Sequence, residues 1–171
     1  LAQFTVAAWI LWDGDSSLVG INLFPRAVVK DPVTFDGAKY SSWIGLTQDG
    51  HNHAVVSSAI FTDAIPAISR GEIVLLPGTW YHVVATFDIS ASAAGIKMYI
   101  NGIDTAATST AGTGTTVGDG ATPTFRMGAN NDGALPMDGV VDEVGIWTTI
   151  LTQTDVTALY NSGSGETYPV A

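Results

Sequence analysis

At 171 residues, 46% of them hydrophobic and 13% charged, the chain is sized for one domain that buries roughly 70% of its unfolded surface, and its composition excludes intrinsic disorder. Sixteen acidic against six basic residues leave a formal net charge of −10, which argues against nucleic acid and anionic membranes as partners, since both are held through Lys and Arg; it would suit a cation such as calcium, although a solvated acidic surface is the commoner meaning of such a charge. There is no cysteine, hence no disulfide or thiolate metal site, and no apolar run approaches the roughly 20 residues that cross a bilayer.

Phe4 to Trp12 (FTVAAWILW) reads as a strand ended by Asp13-Gly14-Asp15, and Ser17 to Phe24 as a second strand stopped by Pro25. Arg26 to Ala38, with Pro32 inside it and Asp36-Gly37 near its end, reads as a loop. Tyr40 to Leu46, His53 to Phe61 and Gly71 to Leu76 follow as strands. From Trp80 the period of two is strongest: Tyr81, Val83, Ala85 and Phe87 alternate with Trp80, His82, Val84 and Thr86. Ile96, Met98 and Ile100 then alternate with Lys97 and Tyr99, and Asn101-Gly102 favours the positive φ values of a tight hairpin turn. Thr105 to Thr124 is rich in Thr, Ala and Gly and reads as a long surface loop. Phe125 to Gly128 resumes a strand, Asn130 to Gly133 is a dense turn signal, and Gly139 to Trp147 (GVVDEVGIW) is the last strand. Thr152 is the expected N-cap of one short helix, with Asp155 three residues on, Val156, Leu159 and Tyr160 at helical spacing, and Gly163 at its end. Strands at intervals of roughly 10–15 residues predict a single all-β domain over residues 1–171, an antiparallel two-sheet sandwich.

The order of these pieces resembles the laminin G-like, pentraxin-related jelly rolls of the concanavalin A-like lectin/glucanase superfamily. The resemblance rests on FTVAAW at Phe4 to Trp9, WYHVVATFD at Trp80 to Asp88 and KMYINGI at Lys97 to Ile103. It continues with FRMG at Phe125 to Gly128 and MDGVVDEVGIWTTILTQTDVTALYNSG at Met137 to Gly163. It covers nearly the whole chain and implies a jelly roll. One departure is that family members carry a strand ahead of the first block, whereas only Leu1, Ala2 and Gln3 precede it here. Together with the absence of an initial Met, this leads us to expect a processed product or a segment of a longer protein. The edge beside Val140 to Ile146 is then expected to be covered from outside this core, by an upstream strand or by other subunits of a surface assembly.

The resemblance extends to glucan hydrolases, whose strand carries Glu-x-Asp-x-x-Glu. The three glutamates here, Glu72, Glu143 and Glu166, fall in no such pattern, and Asp142 and Glu143, adjacent on a strand, are expected to point to opposite faces. No enzyme is expected. His51 and His53 share a strand parity that suits zinc but reads more simply as a surface pair, and His82 follows the family's Trp where a structural role is implied. Calcium is the cofactor expectation, since it takes roughly six to eight oxygen ligands. By position in the resemblance its ligands are Asp36, Asn130, Asn131 and Asp132, with Asp13 and Asp15 a second oxygen pair. Among the five tryptophans, Trp9, Trp80 and Trp147 are expected in the core, whereas Trp12 and Trp43 lie nearer strand ends or polar neighbours, and Trp43 with Tyr40 is the candidate pair for stacking on a sugar. The function expected from these residues and the resemblance is non-catalytic binding of a glycan or glycoprotein at an extracellular, cell or virion surface. The alternative is a structural, decoration or adhesion module whose partners are other protein subunits.

Overall fold

The structure is a computed structural model and describes residues 3–14, 26–32, 41–48, 54–60, 67–88, 95–105, 108–110, 123–129 and 136–165. Among these residues the strands are β1 (Gln3–Trp12), β2 (Arg26–Pro32), β3 (Ser41–Gln48), β4 (Ala54–Ile60), β5 (Ala67–Val74), β6 (Trp80–Asp88), β7 (Ile96–Ile100), β8 (Ile103–Thr105), β9 (Thr108–Thr110), β10 (Pro123–Met127) and β11 (Gly139–Trp147). A helix, α1 (Gln153–Tyr160), and a 3-10 turn at Asn161–Gly163 follow.

The strands form two antiparallel sheets, ordered β11-β1-β6-β7-β8 and β10-β2-β3-β4-β5-β9 among the described residues. They pack face to face, β3 against β1 and β6, and β5 against β7 and β8. The all-β jelly-roll class expected from the sequence is what the chain adopts. The alternation of each strand decides what is buried. Phe4, Val6, Ala8, Ile10 and Trp12 of β1 and Tyr81, Val83, Ala85 and Phe87 of β6 point between the sheets, where Phe4 and Phe87 stack with ring centroids 4.5 Å apart.

The opposite faces of the same strands build a second, smaller core. Ala7, Val84 and Tyr99 are covered by Val156 of α1, with Trp147 and Leu151 packed alongside. Thr5, fully buried on this outer face, accepts the Leu151 N–H at 3.0 Å and donates to the Thr149 carbonyl at 2.7 Å, which fixes the path from β11 into α1. Gln153 Nε2 donates to the Gly102 carbonyl at 2.6 Å and so ties the start of α1 to the β7–β8 hairpin. That hairpin turns at Asn101-Gly102, with φ of 52° and 78°, as its residues require.

The N-terminus of α1 carries the expected capping box: the Thr152 hydroxyl accepts the Asp155 N–H at 3.3 Å, and the Asp155 carboxylate accepts the Thr152 N–H at 2.8 Å. Hydrogen bonds from the Thr152 side chain and then its backbone hold the Asp155 carboxyl below its usual range. Thr152→Ala removes the cap, and the expected result is a loss of about 1 kcal/mol, read as a melting temperature lower by roughly 2–4 °C. An unchanged melting temperature would show that α1 does not depend on its cap.

Three expectations from the sequence differ. Arg26 to Ala38 is not all loop, because its first seven residues are β2, paired with β10 and β3. Pro32 sits at the strand end, where a missing N–H costs little. The Thr/Ala/Gly-rich stretch from Thr105 likewise contributes β9, a short edge strand paired with β5 at Ile68 to Arg70. The helix proper stops at Tyr160, and Asn161 caps it in the left-handed conformation before Gly163 is reached. The strand expected at Ser17 to Phe24 lies outside the described residues.

Candidate functional site

On the outer face of the five-stranded sheet, register alone assembles a group of chemically distinctive side chains. Trp9 of β1 lies opposite His82 of β6 on one side and Asp142 of β11 on the other, while Trp80 lies opposite Leu11. Residues directly opposite share a face, and diagonal neighbours sit about 7–8 Å apart, so Trp9 and Trp80 stand on one surface. The helix covers the Ala7–Val84 end of this face and leaves the Trp9–Trp80 end open. There Trp9, Trp80, Asp142, Glu143, Gly163 and Ser164 line a shallow cleft of about 190 Å³.

A β-bulge brings both carboxylates into that cleft. Between the pairs Ala7↔Gly145 and Trp9↔Asp142 there is one residue on β1, Ala8, but two on β11, Glu143 and Val144. Glu143 takes up the extra length with φ 46°, a left-handed conformation unusual for a non-glycine residue. The Asp142 carboxylate supports it by accepting the Glu143 N–H at 2.8 Å. The turn after α1 closes over the bulge: Gly165 is buried with φ +67°, and a Cβ there would lie 2.6 Å from Glu143 Oε2. Asn161 Nδ2 donates to the Gly165 carbonyl at 2.9 Å and holds that turn in place.

The floor beside the cleft is aromatic. Trp9 stacks on Tyr160 at 5.9 Å and lies tilted against the His82 ring at 5.2 Å, and His82 stacks on Tyr160 at 6.1 Å. The backbone of His82 is locked to the hairpin, its N–H donating to Asn101 Oδ1 at 2.9 Å and its carbonyl accepting the Asn101 N–H at 2.8 Å. Its side chain is 2% exposed and its Nδ1 has no hydrogen-bond partner. Burial lowers the imidazole pKa from 6.5 to about 4, so the ring is neutral at pH 7.

Two expectations are thereby corrected. Asp142 and Glu143 do not point to opposite sides of β11, because the bulge breaks the alternation between them, and both line one cleft. The tryptophans are also sorted differently. Trp12 is 7% exposed and faces the core, whereas Trp9 is half-buried on the outer face and Trp80 is 40% exposed. Trp147 is likewise half-buried against α1 and not in the central core. Trp9 and Trp12 are three apart on one strand and so must face opposite ways; that parity was the available signal.

The expected calcium ligands Asp36, Asn130, Asn131 and Asp132 lie outside the described residues, as do Tyr40, Asp15, His51 and His53; Trp43 belongs to β3, but its side chain is also outside them. Asp13 is exposed, and its N–H donates to the Asp138 carbonyl at 3.1 Å. Among the described residues no group of three or more His, Asp or Glu gathers as a metal site.

Comparison with known proteins bears on the fold. The native heptameric SAP-like pentraxin of Limulus polyphemus superposes with a TM-score of 0.64 at 15% identity, over 94% of this chain and 70% of that one. Mouse laminin alpha1 domains LG4-5 give 0.57 at 13% identity, over 89% and 37%. A Trypanosoma rangeli sialidase in complex with sialic acid gives 0.55 at 20% identity, over 94% of this chain but only 23% of the sialidase. No curated protein sequence matches. No helix among the described residues is long and apolar enough to cross a membrane. The family model of the concanavalin A-like lectin/glucanases superfamily matches residues 1–157, and the chain belongs to that superfamily as a laminin G-like domain.

Proposed function

We propose that the domain is a non-catalytic module of an exterior surface that binds a glycan or glycoprotein, with the cleft between Trp9, Trp80, Asp142 and Glu143 as its contact site. The observation that carries this reading is the pairing, in one open cleft, of two indole rings with two carboxylates. Aromatic faces receive the apolar C–H face of a pyranose, and carboxylates accept its hydroxyls in charge-assisted hydrogen bonds. Hydrolysis asks for something else, two carboxyl groups flanking a scissile bond. Asp142 and Glu143 are chain neighbours on one wall, and Asp142 is already engaged with the Glu143 N–H.

Titration against a broad glycan panel, with calcium and with a chelator, tests the reading. Trp80→Ala is expected to weaken binding of a captured glycan roughly tenfold, about 1.4 kcal/mol, while the melting temperature falls by only a few degrees and the domain stays folded, because the residue is already 40% exposed. Loss of binding in chelator would support calcium assistance through Asp36, Asn130, Asn131 and Asp132. Binding unmoved by chelator keeps the glycan and discards the metal. Silence of the folded domain across the panel would overturn the glycan reading.

A second reading, a structural or adhesion module joined to other subunits, is favoured by the sheet edges. Among the described residues β11 ends the five-stranded sheet, and Ile146, opposite the core residue Val6, faces inward yet is 44% exposed. Met127 on the edge strand β10 is likewise opposite core residue Val28 and exposed. Sedimentation that stays monomeric at every concentration would count against self-assembly through these edges.

A further inference from the structure

We infer that the cleft selects a cationic glycan, one bearing a free ammonium group on the sugar that stacks between Trp9 and Trp80; this rests on the glycan reading above. The charge of the cleft is one-sided. Among the described residues that line it, the ionisable side chains are Asp142 and Glu143, both acids, while the indole N–H groups of Trp9 and Trp80 and the Ser164 hydroxyl are neutral donors. Those donors serve any sugar, whereas two carboxylates with no base among the described lining are best matched by an ammonium, which donates to every neighbour and accepts nothing. Carboxylate oxygens and indole faces are the two partners that an ammonium takes, through charge-assisted hydrogen bonds and cation–π attraction.

The arrangement is fixed before a ligand arrives. Trp9 is held by its stacks on Tyr160 and His82, and the Asp142–Glu143 pair by the bulge and the Gly165 turn. Little ordering therefore opposes binding. The whole chain, at a formal net charge of −10, adds attraction for a cation and repulsion for sugars bearing carboxylate or sulfate. The same acids thus disfavour sialylated and sulfated glycans.

Calorimetric titration with a glucosamine tetramer and with its fully N-acetylated counterpart decides the matter. Acetylation removes the charge and leaves the pyranose faces intact. The expected result is at least tenfold tighter binding of the free amine, a preference that shrinks in roughly 1 M salt, where the screening length is about 3 Å. Asp142→Asn with Glu143→Gln is expected to bring the two affinities together. The double substitution takes the formal net charge only from −10 to −8, so general attraction to an acidic surface survives it. Asp142→Asn alone keeps an acceptor for the Glu143 N–H and is expected to lose part of the preference with the fold intact. Equal or tighter binding of the acetylated tetramer, or a preference that survives the double substitution, would overturn the cationic inference and leave the glycan reading standing. Failure of both tetramers while another glycan binds also overturns it, and failure of every glycan removes the reading beneath it.

Discussion

Gly139→Ala is expected to destabilise the domain by about 3–5 kcal/mol, lowering the melting temperature by roughly 10 °C. Gly139 opens β11 opposite Trp12, and the backbones meet so closely there that an ideal Cβ would lie 1.9 Å from the Leu11 carbonyl oxygen. That atom belongs to a paired strand and cannot swing aside as a side-chain tip would. The φ of +145° is a further obstacle to any L residue. Relief requires β11 to move off β1, which strains the Asp13 N–H to Asp138 carbonyl bond and shifts Asp142 away from Trp9. Affinity at the cleft is therefore expected to fall along with stability. Gly78→Ala separates the causes, because its φ is +68° but nothing lies within 4 Å of the added carbon. There the conformational term acts alone and about 1 kcal/mol is expected. Equal losses at the two positions would show that β1 and β11 part readily at Gly139 and that the close approach costs nothing of its own.

The contrast between those glycines marks how far the sequence carries. The β6–β7 pair, β11 and the capped helix were legible because each obeys a local rule: a period of two, a turn residue suited to positive φ, or a side chain that caps its own helix. β2 was hidden because Pro32 and the polar Lys30-Asp31 interrupt its alternation, and pairing on both sides by β10 and β3 overrides that local signal. The cleft was hidden for a different reason. A bulge at a glycine would have been visible in the sequence, but this one is formed by Glu143, and nothing in Asp-Glu-Val announces a left-handed residue. Counting side chains along β11 without the bulge sends the two carboxylates apart, and the candidate site dissolves. The remaining site residues named from the sequence, Asp36, Tyr40 and Asn130 to Asp132, depend on segments outside the described residues.

Acidification is expected to cost the domain about 2 kcal/mol between pH 7 and pH 4.5, through His82. In the folded chain the imidazole is enclosed by Trp9 and Tyr160 and its pKa is lowered by burial to about 4 from 6.5. Between those two values the unfolded chain binds a proton that the folded chain refuses, so stability is complete above pH 6.5 and declines as the pH falls toward 4. The full difference is worth about 3 kcal/mol. The ring faces of Trp9 and Tyr160 attract an imidazolium, but by about 1 kcal/mol, too little to reverse a desolvation of this size. Because His82 lies on the outer face, its protonation is expected to loosen Tyr160 and the end of α1 first, and with them the wall of the cleft. His82→Phe keeps an aromatic ring between Trp9 and Tyr160 and removes both the titration and the unpartnered Nδ1. Denaturant unfolding of that variant is expected to show stability at pH 7 equal to or above that of the parent, and a loss below about 1 kcal/mol at pH 4.5. If parent and variant decline in parallel, His82 is not the acid-sensitive group, and the aromatic stack beneath the cleft is open to water.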